Sequence, residues 1–175
     1  MKTYEGKITK LKANQVFVFG SNWNEKTQTG GFHGAGSAGF ASFGESGNVW
    51  RKFDYANKQK GWKGKWNVKG EGLGLQEGTE GKSYALPTIT HAGAKQSLSK
   101  EKIKEYIKDL YAYASNYSDL EFLIAYRDDG SRLLNGYSVE DMAEMFSAFP
   151  IPENIVFEDQ FSKIVERKIN NDQTR

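Results

Sequence analysis

"QVFVFG", Gln15–Gly20, is a short continuous apolar run that stops at a glycine. Both of its alternating sets of side chains are apolar, so it reads as a strand covered on both faces within a mostly parallel sheet. "LEFLIAY" (Leu120–Tyr126) has the same character, and "SYALP" (Ser83–Pro87) and "NIVFE" (Asn154–Glu158) are weaker versions of it. Between these runs the apolar spacing becomes helical. In "SKEKIKEYIKDLYAYASNY", Ile103, Ile107, Leu110 and Ala114 form one stripe behind Ser99, a residue type that caps helix N-termini. "SVEDMAEMF" (Ser138–Phe146) has the Ser-x-x-Asp form of a capping box, and "FSKIVERKI" (Phe161–Ile169) places Phe161, Ile164, Val165 and Ile169 on one side. Strands alternating with helices predict a layered α/β domain with helices packed on a central sheet.

The 175 residues, 38% of them hydrophobic, suit a single domain, with "NNDQTR" (residues 170–175) expected to fray. Lys and Arg number 24 against 22 Asp and Glu, so whole-molecule charge gives no reason to expect nucleic acid or membrane as a partner. The absence of cysteine excludes disulfides, thiol nucleophiles and Cys-ligated metals, and His33 and His91 are too few for an ordinary transition-metal site. No metal or cofactor is therefore expected. The N-terminal "MKTYEGKITK" lacks the apolar core of a signal peptide, and no apolar run is long enough to span a bilayer; the expected location is the cytoplasm.

One segment departs from the alternating plan. Residues 48–74, "NVWRKFDYANKQKGWKGKWNVKGEGLG", read as a basic, Trp-rich insertion that carries Arg51, Lys52, Lys58, Lys60, Lys63, Lys65 and Lys69 against Asp54 and Glu71. Within it Trp62, Gly64, Trp66 and Val68 alternate with Lys63, Lys65, Asn67 and Lys69, as in a strand with one packed and one charged face. Tryptophans at that spacing serve either as core or as platforms for stacked bases.

After Gly20 the chain runs "SNWNEKTQTGGFHGAGSAGF". "GAGSAG" fits the G-x-G-x-x-G pattern of dinucleotide sites, but it stands too far beyond the strand for that fold. The physics behind the pattern still applies. Glycines let backbone N–H groups approach a phosphate, and Ala35, Gly36, Ser37 and Ala38 can open a helix whose dipole favours an anion. A second strand, "LEFLIAY", also leads through Gly130 and Gly136 to a capped helix start at Ser138. Two such strand ends can flank one crevice at the carboxyl edge of a sheet.

These residues resemble macro domains, the ADP-ribose-binding modules. Ile8 and Thr9, the strand Val16–Val18 and Asn22 match their N-terminal block. "GGFHGAG" stands where they place the glycine loop under the distal ribose and phosphates, and "NGYS" (Asn135–Ser138) resembles the end of their second phosphate loop. "FVFGSN", "HGAG", "GEGLGLQEG" and "SYALPT" are similar to short macro-like proteins of phages and bacteria. Two positions depart from the pattern: Lys7 replaces the aspartate that contacts adenine, and Phe19 replaces the first asparagine of the strand ending.

The resemblance implies a three-layer fold with a central mixed, mostly parallel sheet. It also implies that ADP-ribose or a related NAD-derived nucleotide is bound by Gly20, Ser21, Asn22, Gly30, Gly31, His33, Gly34, Ala35, Gly36, Ser37, Gly130, Gly136 and Tyr137. Two alternatives stand beside it. One is a hydrolase of ADP-ribose or ADP-ribosylated substrates, or a phosphoesterase, at the same site, with His33 as acid or base and Asn22 positioning ribose or water as the catalytic pair. The other is single-stranded nucleic-acid binding by the basic insertion. The plain readings are a flexible glycine loop, an exposed His33 and His91, an Asx-turn at Asn22, and a solvated turn at Asp128 and Asp129.

Overall fold

A computed structural model of the chain describes residues 1–8, 10–31, 62–63, 73–78, 81–126 and 135–173, with backbone alone for Trp62, Lys63, Gly78 and Gln173. The strands are β1 (Thr3–Tyr4), β2 (Gln15–Asn24), β3 (Thr29–Gly30), β4 (Trp62–Lys63), β5 (Gly74–Gly78), β6 (Lys82–Ile89), β7 (Glu121–Ile124) and β8 (Ile155–Glu158). The helices are α1 (Lys100–Asn116), α2 (Val139–Phe146) and α3 (Asp159–Gln173). The sheet order is β1-β8-β7-β2-β6-β5-β4, with β3 paired to β2 outside this path. From β1 to β6 every neighbouring pair is parallel, and β5 and β4 close the other end antiparallel. The fold is thus α/β with a mixed, mostly parallel sheet. Among the described residues no helix is long and apolar enough to cross a membrane.

Strand alternation sets the layers. Val16, Val18, Tyr84, Leu86, Phe122, Ile124, Ile155 and Phe157 join one hydrophobic core with residues of all three helices. The residues between them, Phe17, Ala85, Leu123 and Val156, are buried as well, so the sheet is covered on both faces as a three-layer arrangement requires. Ile103, Ile107 and Leu110 of α1 are 0% exposed, each burial contributing about 1.5–3 kcal/mol. The Ser99 hydroxyl accepts from Lys102 N at 3.1 Å, and Ser138 and Asp141 form the reciprocal capping box at α2.

Several expectations need correction. β2 does not end at Gly20 but continues to Asn24, because Trp23 and Asn24 pair with Gly30 and Thr29 as a hairpin. Asn22 therefore lies inside the strand, and the Asx-turn belongs to Asn24, whose Oδ1 accepts from Lys26 N at 2.9 Å and Thr27 N at 3.3 Å. Of the residues expected to fray, 174–175 lie outside the described residues and 170–173 belong to α3. At its other end Glu158 Oε2 accepts from Gln160 N and Phe161 N, which satisfies donors of the first turn. Of the strand expected in the basic insertion, Trp62–Lys63 pairs with β5 and the remainder lies outside the described residues.

Candidate functional site

The carboxyl ends of the parallel strands define one edge of the sheet, and β2 is the strand that reaches furthest along it. β7 pairs with β2 only from Gln15 to Val18, with Ala125 N adding a bond to Val18 O at 2.9 Å, whereas β6 follows β2 as far as Asn22. A register shift between Ser21 and Asn22 bends the strand there. The chain enters β6 on one side of β2, passes through α1 and returns in β7 on the other side. That reversal about β2 is a topological switch point, the place where open α/β sheets leave a crevice.

The open end of the hairpin, away from its turn, brings together Asn22, Gly30 and Gly31. Gly31 N donates to Asn22 O at 2.6 Å, and Gly30, at φ +123°, lies so close that a Cβ would stand 2.3 Å from the same oxygen and 3.1 Å from Asn22 Nδ2. Gly30 is thus required by the approach of its own hairpin. Gly20 is exposed in β2, and a Cβ there would meet Thr88 Oγ1 at an ordinary 3.5 Å. Ser21 is buried, its carbonyl accepting from Thr88 Oγ1 at 3.5 Å.

The turn Glu25–Gln28 fastens this hairpin to α1. Glu25 Oε1 lies 2.7 Å from Lys102 Nζ and accepts the Tyr106 hydroxyl at 2.7 Å. The bonds from Lys102 and Tyr106 hold the Glu25 carboxyl below its usual range, while burial, followed by the bond to Glu25, pushes the Tyr106 phenol up to about 12.

The second segment, Asn135–Ser138, is clamped to the loop that leaves β6. Gln96 N donates to Asn135 O at 2.7 Å and Gln96 Nε2 to Gly136 O at 2.9 Å. Gln96 holds φ +54°, a left-handed conformation that these two bonds offset. Gly136 has φ +86°, and a Cβ on it would stand 2.9 Å from Lys95 Cβ and 3.0 Å from Gln96 Cγ. Tyr137 is 8% exposed with its ring in the core and its hydroxyl donating to Leu98 O at 2.7 Å, so any ligand contact at this position falls to its backbone. Its N–H already serves Asn135 Oδ1 at 2.9 Å.

The start of α2 is likewise occupied by its own side chains. Ser138 N donates to Asp141 Oδ2, Asp141 N donates to Ser138 Oγ, and Lys100 Nζ lies 2.8 Å from Asp141 Oδ1. Lys100 foremost holds the Asp141 carboxyl below its usual range, and Asp141 in turn raises Lys100. Of the residues expected to bind ligand, Gly20, Ser21, Asn22, Gly30, Gly31, Gly136 and Tyr137 are described and all stand along this edge. His33, Gly34, Ala35, Gly36, Ser37 and Gly130 lie outside the described residues, as do Asp128 and Asp129. His91 is exposed in the loop after β6, its Nδ1 2.9 Å from Thr90 Oγ1.

Sequence reasoning missed Thr88 and Gln96, which bridge the two segments through one strand and its loop. Nothing in "THAGAKQS" marks Gln96, because its role depends on a pairing with residues forty positions later. Compared with protein-family models, curated proteins and solved structures, the chain matches none.

Proposed function

We propose that the carboxyl edge of the sheet binds a nucleotide of the ADP-ribose class. The observation that carries this reading is the convergence of two glycine-bearing segments on that edge. Gly30 and Gly31 sit against Asn22 at the end of β2, and Asn135–Tyr137 sits against the loop leaving β6. The reversal of the chain about β2 supports it, since ligands of open α/β sheets lie at such points. The resemblance of "FVFGSN", "GGFHGAG" and "NGYS", the same segments, to macro domains also supports it. Lys7 is exposed and Phe19 stacks on Phe17 with ring centroids 6.5 Å apart, so the base is recognised differently from the usual macro-domain manner.

Calorimetric titration with ADP-ribose, NAD and cyclic ADP-ribose tests the reading. A ligand at about 100 times its dissociation constant adds roughly 2.7 kcal/mol of stability. For a domain of this size that raises the melting temperature by roughly 5–10 °C. Asn22→Ala should weaken the binding. No heat and no thermal shift from any of the three at millimolar concentration would sink the proposal.

A further inference from the structure

A concavity lies on the helix side of the sheet, where β5 begins beside β6 and α1 passes over both. It encloses about 380 Å³, and its walls include Leu75, Tyr84, Pro87, Tyr106, Asp109 and Tyr113. Among the described residues, none of those assigned to the nucleotide lines it. Asp109 stands three residues after Tyr106 and four before Tyr113, so all three share one face of α1 with the carboxylate between the rings. Tyr84 faces them from the sheet, its ring tilted against Tyr113 at a centroid distance of 5.7 Å. Burial and then the Asp109 carboxylate raise the Tyr84 phenol, in keeping with a negative charge near that ring.

The same helix face already shows which chemistry such a neighbourhood accepts. Lys102 Nζ lies 5.4 Å from the centroid of the Tyr106 ring, 2.7 Å from Glu25 Oε1 and 3.1 Å from Glu105 Oε2. An ammonium group there is held by an aromatic face and carboxylates together. One turn further along, the cleft repeats those components, rings and a carboxylate. Asp109 is exposed and forms no ion pair among the described residues.

We propose that the cleft between α1 and the β5–β6 edge binds a small organic ammonium ion, its charge paired with Asp109 and its alkyl groups against Tyr84, Tyr113 and Leu75. A neutral molecule of the same shape gains the apolar contact alone. The charge supplies discrimination because Asp109 has no ion-pair partner among the described residues and aromatic rings attract a cation.

Choline and its uncharged carbon isostere, 3,3-dimethylbutan-1-ol, are the probes, titrated into the full chain and followed through the amide shifts of Gly74, Ala85 and Asp109. The expected result is saturable millimolar binding of choline and at least about tenfold weaker binding of the isostere. Asp109→Asn should lose about tenfold in choline affinity with an unchanged melting temperature, since this side chain is exposed. Tyr113→Phe keeps the ring and should bind, whereas Tyr113→Leu should not; an amide spectrum of the folded protein accompanies each variant. Equal binding of the two probes, or an Asp109→Asn variant with full affinity, would overturn the proposal. So would the absence of any choline response at up to about 0.1 M, far above the millimolar range.

Discussion

Gly30→Ala is the substitution that examines the hairpin most directly. The new Cβ would stand 2.3 Å from Asn22 O and 2.9 Å from Asn22 C, both backbone atoms of a paired strand, so no side chain can turn aside to make room. The φ of +123° adds a conformational cost of about 1–3 kcal/mol for a residue with a Cβ. Separating the strands also removes the Gly31 N–H bond to Asn22 O, worth about 1 kcal/mol. The hairpin arm is short and can open locally, which limits the total to roughly 2–4 kcal/mol. For a chain of this length that corresponds to a fall in melting temperature of roughly 5–15 °C. Gly93→Ala is the internal control: its φ is +81°, but a Cβ there meets nothing within 4 Å, so only the conformational cost of about 1–2 kcal/mol remains. Thermal unfolding by circular dichroism should place Gly30→Ala well below Gly93→Ala. Identical melting temperatures for the two would refute the steric argument.

Three further outcomes follow from the geometry. Tyr137→Phe leaves Leu98 O without its buried donor and should cost about 1–3 kcal/mol, read as a lower midpoint in urea with an unchanged slope. Asn154→Ala removes the amide whose Nδ2 lies 2.9 Å from Ala114 O, 3.1 Å from Tyr117 O and 2.9 Å from Leu120 O; Ala114 O and Tyr117 O keep the N–H groups of Tyr117 and Leu120, and the lost bonds cost roughly 1–3 kcal/mol in the same assay. The carboxyl of Asp141 is depressed in the folded chain, so its contribution is fully present above the unfolded value of about 3.9 and is lost as the pH falls through the depressed range. Asp141→Asn should therefore lower stability at pH 6 and converge on the parent chain in strong acid, and a constant difference across that range would contradict the assignment.

What was legible in the sequence is what short-range chemistry determines. Ser99 and Ser138 announce their helices because a cap needs only residues three positions on, and Ile103, Ile107, Leu110 and Ala114 occupy the core their spacing predicts. The outer half of β2 was hidden by Gly20, which looked like a terminus. Yet beyond it Ser21 and Trp23 are buried while Asn22 and Asn24 turn outward, an alternation that continues the strand. β1 has two residues whose only claim to be a strand is pairing with Phe157 and Glu158 at the far end of the chain. β5 conceals itself differently, with the polar Gln76 at 2% exposure where a pattern reader expects an apolar residue. The glycines show the same limit at the candidate site. Composition suggests a ligand cradle, but Gly30 and Gly136 meet Asn22 and the Lys95–Gln96 loop, contacts that no local spacing encodes.

The two segments at the carboxyl edge are not equivalent in what they can offer an anion. A free helix N-terminus stabilises a nearby negative charge by about 0.3–1 kcal/mol when exposed, through N–H groups that lack partners. At α2 part of that set is spoken for: Ser138 N serves Asp141, Asp141 N serves Ser138 and, just before the helix, Tyr137 N serves Asn135, so the orphan donors that remain are those of Val139 and Glu140. The carboxylate of Asp141 is already in place, and two like charges about 4 Å apart repel by roughly 4 kcal/mol at an effective dielectric of 20. Lys100 cancels much of that repulsion, and its ammonium keeps donors beyond the one turned to Asp141. Under the proposed function, therefore, residues 135–138 form a fixed wall, and an anion at this end of α2 relies on Val139 N, Glu140 N and Lys100. Gly30 and Gly31 stand on the other side of that edge, so affinity for a diphosphate also depends on the geometry of the β2–β3 hairpin and on the Glu25 contacts that fasten it to α1.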